Sequence, residues 1–251
     1  MTGASAAPTA ALLIIGNEIL SGRTQDVNLN TAAKKLGTIG IPLKEVRVVP
    51  DIQDEIVAAL NAMRTQYTYV FTTGGIGPTH DDITVDAIAA AFGVKVVEHL
   101  GARRLLENHY GDKINTARLR MARVPEGANL IANPVSGAPG MQIDNVYILA
   151  GVPDIMKAMM DGVIATLRHG PTIYSHSVSG FIAESIVADE LGAIALRYPH
   201  LDIGSYPWVR DGRFGTALVT RGIDQAAVNA ASGEIAAMLR ARSVEPEISM
   251  N

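Results

Sequence analysis

Tyr69-Val70-Phe71-Thr72-Thr73-Gly74-Gly75-Ile76-Gly77-Pro78-Thr79-His80-Asp81-Asp82 runs from an apolar strand through a glycine-rich turn toward a helix, whose stripe is predicted from Val85, Ile88, Ala89 and Phe92. Similar units precede it. Leu12 to Ile15 reads as a strand buried on both faces that ends at Gly16, and Leu29, Ala32, Ala33 and Leu36 then recur at helical spacing until Gly37 and Gly40. Val46 to Val49 reads as the next strand, followed by a stripe of Ile56, Ala59, Leu60 and Met63. Successive strand-to-helix units predict an α/β fold with a mostly parallel sheet and right-handed crossovers.

Beyond this, Val94 to Val97 is predicted as a strand, residues 101–121 as helical, and Val146 to Leu149 as a strand after the loop Asn133 to Gly140. A helix from about Asp154 to Arg168, with Ile155, Ala158, Met159, Gly162 and Val163 on one face, closes a first domain over residues 1–170, with the boundary at His169-Gly170-Pro171. Residues 171–251 then change order to strand, helix, strand, strand, helix, which predicts a small α+β module.

Composition narrows the function. The chain of 251 residues contains no cysteine, which removes disulfides, thiolate zinc sites and cysteine nucleophiles. A net charge of −4 gives no field to gather nucleic acid, and the segment from Pro171 onward holds six Lys/Arg against nine Asp/Glu, so Tyr198, Tyr206 and Trp208 are not read as an RNA platform. Met1 to Ala10 lacks basic residues, and the apolar run to Ile15 is too short for a signal core or a membrane span, so a cytoplasmic protein without membrane contact is expected. A phosphorylated small molecule is the expected partner.

In a parallel sheet, ligands gather beyond the carboxyl ends of the strands, so the loops at Gly16, Asp51, Gly74 and Gly151 converge on one edge. Gly74 to Gly77 let a backbone approach a ligand, and a following helix start attracts anions. The segment is neither a Walker A loop, since no Lys-Ser or Lys-Thr follows, nor a dinucleotide fingerprint, since His80 stands where the third glycine belongs. Asp81 and Asp82 have two readings: capping, with Thr79 as N-cap, or holding a divalent cation that makes phosphate welcome beside two carboxylates. Glu18 either shares that cation or is a solvated loop residue. Asn28 and Asn30 are helix-start residues or ligand hydrogen-bonders, and Asp51 is an N-cap or a ligand contact. The six histidines show no metal-binding spacing.

The run Thr72 to Thr84 resembles the signature of the MoaB/Mog molybdopterin-binding fold, and more closely that of the N-terminal part of competence/damage-inducible CinA proteins and the accessory domain of eukaryotic FAD synthases. Gly16-Asn17-Glu18-Ile19-Leu20-Ser21-Gly22 with Asn28, the Asn133 to Gly140 loop, Ala150-Gly151-Val152-Pro153 and Ile203-Gly204-Ser205-Tyr206-Pro207 extend the resemblance over nearly the whole chain. It implies a three-layer MoaB/Mog-like domain followed by a KH-like module. It further implies ligand contacts at Gly16, Asn17, Asn28, Asp51, Thr73, Gly74, Gly75, Gly77, Thr84, Ser136, Gly137 and Gly140, and a homodimer or higher homo-oligomer. Magnesium, manganese or cobalt held by Asp81, Asp82 and Glu18 would serve pyrophosphate cleavage of ADP-ribose-like nucleotides; binding of molybdopterin in cofactor biosynthesis, or nucleotide binding without turnover, are the alternatives. Many CinA proteins carry an amidohydrolase domain beyond the point where this sequence ends, so nicotinamide-mononucleotide deamidation is not expected.

Overall fold

A computed structural model describes residues 6–250; Met1–Ser5, part of the N-terminal stretch read above, lie outside them, as does Asn251. The chain divides into two compact units between Gly170 and Pro171.

The first unit runs β1 (Ala10–Ile15), α1 (Asn17–Leu20), α2 (Asn28–Thr38), β2 (Leu43–Val49), α3 (Gln53–Gln66), β3 (Tyr69–Thr73) and α4 (Thr84–Phe92). It continues through β4 (Val96–Glu98), α5 (Leu100–Tyr110), α6 (Thr116–Leu119), β5 (Arg123–Pro125), β6 (Asn129–Ile131), β7 (Gly140–Ile143), β8 (Val146–Leu149) and α7 (Pro153–Ile164). Its main sheet has the order β2-β1-β3-β8-β7-β6. Neighbours from β2 to β8 are parallel, and β7 and β6 add an antiparallel edge.

Alternation along the central strands divides the core into two layers. Leu13, Ile15, Val70 and Ile148 pack with Ile56, Leu60 and Met63 of α3 and Ile88 of α4. Leu12, Ile14, Phe71 and Leu149 pack with Leu36 of α2 and Met156 and Met160 of α7. All six residues of β1 are buried, which is why that strand reads as a continuous apolar run. Each such aliphatic side chain contributes about 1.5–3 kcal/mol on burial, so this paired core fixes the strand ends firmly.

Several elements differ from the sequence expectation. The buried face of α2 is Asn28, Ala32 and Leu36, while Leu29 and Ala33 are exposed; a buried asparagine replaces the expected leucine at the helix start. The core face of α7 is Met156, Met159, Met160 and Val163, and Gly162 is exposed. The strand expected at 94–97 lies outside the main sheet, pairing antiparallel with β5 in a separate ribbon. Short β5, β6 and β7 were not foreseen.

The second unit contains β9 (Tyr174–Gly180), α8 (Glu184–Arg197), β10 (Asp202–Arg210), β11 (Arg213–Gly222), α9 (Gln225–Arg240) and β12 (Glu247–Met250). Its antiparallel sheet, ordered β10-β11-β9-β12, buries Val178 and Leu218 against Leu191 of α8 and Ile235 and Leu239 of α9. The order is the expected βαββα, with β12 as an added edge. Among the described residues, no helix is long and apolar enough to cross a membrane.

Candidate functional site

β1, β3 and β8 end side by side, and the glycines that follow bring their loops together. Gly74 has φ 103°, a conformation that side chains other than glycine rarely adopt, and a Cβ there would overlap the Ile15 carbonyl oxygen. On Gly151 a Cβ would lie 3.1 Å from the Gly74 Cα. The floor at the strand ends is therefore bare backbone.

Above this floor opens a cavity of about 550 Å³ whose wall includes Glu18, Gly74 to Gly77, Asp82, Ser136 and Val152. A narrower cleft of about 60 Å³ adjoins it through Glu18, Gly74 and Gly151, and reaches Asn28 and Thr73. Asn28 is only 5% exposed; its amide nitrogen donates to the Gly151 carbonyl at 2.7 Å, while its Oδ1 has no partner. The Thr73 hydroxyl, on a residue 1% exposed, is likewise unpartnered. Buried polar atoms without partners are uncommon in folded proteins and point to a water or a ligand. Asn28 is the first residue of α2, as the helix-start reading has it, and its unpartnered Oδ1 also belongs to the lining of the narrow cleft.

The acidic pair separates. Asp82 lines the cavity, and its carboxylate accepts from the Gly77 N–H at 2.7 Å, the Thr79 N–H at 2.8 Å and the Thr79 hydroxyl at 2.6 Å. Asp81 is exposed and lines neither space; it too faces the Thr79 hydroxyl at 2.6 Å. That hydroxyl has one proton for two carboxylates. Its hydrogen bond, the largest influence, holds the Asp81 carboxyl below the usual range. Glu18 folds back over Gly16, where an added Cβ would lie 2.6 Å from both of its carboxylate oxygens. Glu18 and Asp82 thus share one cavity, but among the described residues no group of three or more His, Asp or Glu is gathered to hold a metal. The expected cluster of Asp81, Asp82 and Glu18 is not preassembled.

Other expected positions act indirectly. Asp51 is no helix cap: the N-cap of α3 is Ile52, and the Asp51 carboxylate accepts from the Asn17 N–H at 2.8 Å, tying down the turn that carries Glu18. Thr79 is not the N-cap of α4 either; that position is Ile83. The start of α4 turns back on its own loop, with the Thr84 N–H donating to Gly75 O at 3.1 Å and its hydroxyl to Gly74 O at 2.9 Å. The helix start that lines the cavity is that of α7, through Val152, Pro153 and Ile155. Gly140 serves packing, since a Cβ would sit 2.6 Å from the Ile148 carbonyl oxygen. In the Asn133 to Gly140 loop, Asn133 donates to Ser136 Oγ at 2.6 Å and to Ala138 O at 2.7 Å, holding Ser136 at the cavity wall. Gly137, with φ 72°, approaches His109 so closely that a Cβ would lie 2.6 Å from that ring's Cγ.

Sequence reasoning missed Thr24, Tyr110 and Met121, which also line the cavity. Tyr110 and Met121 come from a helical excursion whose spacing gives no sign of proximity to Gly75.

Comparison with known proteins agrees with the fold. The family described as probable molybdopterin binding domain matches residues 11–169, and the FAD synthase middle domain matches residues 172–248. A protein from Pyrobaculum calidifontis is 32% identical over 80% of this chain and 81% of its own length. A CinA-like protein from Desulfosudis oleivorans is 32% identical over 78% of this chain, which spans about half, 51%, of that protein. Among solved structures, the CinA protein of unknown function from Thermoplasma acidophilum superposes with a TM-score of 0.60 at 33% identity, covering 64% of this chain and 98% of that one.

Proposed function

We propose, from the premise that the chain belongs to the family of the probable molybdopterin binding domain, that its strand-end cavity hydrolyses the pyrophosphate of an ADP-ribose-like nucleotide with the help of a divalent cation. The observation that carries this reading is the joint presence of two carboxylates, Glu18 and Asp82, and a glycine backbone floor in one cavity of about 550 Å³. That volume lies in the range of small-molecule sites, about 300–1,000 Å³.

The donor set fits a hard cation. Magnesium-like ions are commonly held by one or two carboxylates, with substrate phosphates and waters completing the shell, so two protein ligands suffice where three are not gathered. When bound, the cation would neutralise pyrophosphate charge and lower the pKa of a water. The chain's own groups do the rest. The α7 start, whose first residue Pro153 has no N–H, offers the anion the N–H groups of Asp154 and Ile155, Asn28 Oδ1 and the Thr73 hydroxyl take the ligand's hydroxyls, and Asp82 holds the glycine turn in shape through Gly77 and Thr79. Asp81 stands outside the cavity and acts through the shared Thr79 hydroxyl.

The test is AMP release from ADP-ribose and FAD with magnesium, manganese or cobalt. Release that needs the metal and falls at least tenfold in both Glu18→Gln and Asp82→Ala supports the reading; release indifferent to these changes, or none, sinks it. The family match itself favours a second reading, molybdopterin binding without hydrolysis, which pterin fluorescence titration would distinguish. A homo-oligomer is part of the proposal, and sedimentation that finds monomer alone would remove it.

A further inference from the structure

Tyr110, the last residue of α5, is half-buried, lines the large cavity and belongs to none of the motifs that the sequence singles out. Two side chains contact its ring. The Arg118 guanidinium lies over it at 4.4 Å from the ring centroid, and His109 meets it edge-on at 4.8 Å with planes at 89°. Each prop is itself anchored. Arg118 donates through its guanidinium to the Lys113 carbonyl, and its backbone N–H donates to Asn115 Oδ1 at 2.9 Å. His109 rests against Gly137, at a separation that only a residue without Cβ permits. Among the described residues, nothing hydrogen-bonds to the Tyr110 hydroxyl, so the ring is held by contacts to its π-system and not by its polar tip.

Tyr110 and Met121 also pack against the small cluster of Ala102, Leu106 and Ala122, which adds to the ring's immobility at the cavity wall. A ring immobilised in advance at a cavity wall, with a cation over it, suits a planar π-system entering that cavity: stacking gains area without a fresh entropy cost. Met121, from the same excursion, adds a polarizable thioether beside it. Ser136 shares this wall; its Oγ accepts from Asn133, which leaves its own proton free to meet a heterocycle edge.

We infer that Tyr110 is the stacking surface for the planar base of the ligand, so that this cavity selects phosphorylated compounds bearing a fused heteroaromatic ring over ring-free ones. The inference rests on the phosphate-site reading above and adds its specificity. Tyr110 touches the base and no reacting atom.

The experiment compares ADP-ribose with ribose 5-phosphate, each titrated calorimetrically with manganese into the wild-type protein and into Tyr110→Leu and Tyr110→Phe. Stacking on one aromatic residue corresponds to roughly 5- to 150-fold in affinity. Tyr110→Leu is expected to weaken ADP-ribose by that factor and to leave ribose 5-phosphate within about twofold, a span set by the absence of any ring to stack. Tyr110→Phe is expected to retain most ADP-ribose affinity, because the face and not the hydroxyl binds. Should Tyr110→Leu weaken both ligands alike, the residue is structural and the inference falls while the phosphate site stands. Should it weaken neither, the base lies elsewhere and the inference falls again. Should wild-type protein bind neither compound, the phosphate reading and this inference fail together.

Discussion

Replacing Gly74 by alanine should damage the first unit more than any other single methyl group at the strand ends. The residue sits at φ 103°, and its new Cβ would overlap the carbonyl oxygen of Ile15, a backbone atom in a fully packed strand. Backbone strain at such a position is about 1–3 kcal/mol, and forcing an extra carbon into a filled space adds about 1–3 kcal/mol. A loss of roughly 2–6 kcal/mol follows, or a fall in Tm of about 4–24 °C at about 2–4 °C per kcal/mol. Gly151→Ala is the control. Its Cβ would lie 3.1 Å from the Gly74 Cα at a backbone conformation open to any residue, so a shift of a few tenths of an ångström relieves it, at about 1 kcal/mol or less. Differential scanning calorimetry is the appropriate assay, because the single tryptophan, Trp208, belongs to the second unit and its fluorescence would follow the wrong transition. If Gly74→Ala melts within 2 °C of wild type, or if Gly151→Ala is the more damaging change, the strand-end packing described above is wrong.

Asp51→Ala should leave the Asn17 N–H without its partner and loosen the turn that carries Glu18; stability should drop by about 0.5–1.5 kcal/mol, while ADP-ribose affinity, measured calorimetrically, drops by more than that hydrogen bond alone accounts for. Asn28→Asp keeps an oxygen in the narrow cleft but removes the donor to Gly151 and adds a buried negative charge, so phosphate-bearing ligands should bind at least tenfold more weakly; unchanged affinity would place the ligand away from this cleft. The Asp81 carboxyl should titrate, by carbon NMR, below an ordinary aspartate, and Thr79→Val should move it upward; because its folded pKa is depressed, its contribution to stability is present above the unfolded value and lost as pH falls through the folded one, and a titration unaltered by Thr79→Val would contradict that cause.

The parts of the fold legible in the sequence were those in which local pattern and burial coincide. β1 is buried on every residue and α3 buries all four residues of its stripe, so apolar runs and spacing sufficed. On α2 the pattern misled by one position, because Asn28 is a buried polar residue that hydrophobic counting cannot register. β6 and β7 have three and four residues and exist through antiparallel pairing with partners, not through any strand-forming run of their own. At the site, glycines announced the close approach of loops, since their conformations demand them. Asp51 looked like a cap because capping is local, whereas its partner Asn17 lies 34 residues away in sequence. Tyr110 gave no signal at all, since only the folded path of α5 and the Gly137 contact brings it to the cavity.

The central claim is that the cavity above Gly74 receives a pyrophosphate between Glu18 and Asp82. A crystal structure with manganese and ADP-ribose tests it most directly. An anomalous peak within coordination distance, about 2.0–2.6 Å, of a Glu18 or Asp82 carboxylate oxygen, with phosphate oxygens over Gly74 to Gly77, is the expected result. Phosphates ordered outside this cavity, or a metal bound with neither carboxylate, would contradict the account.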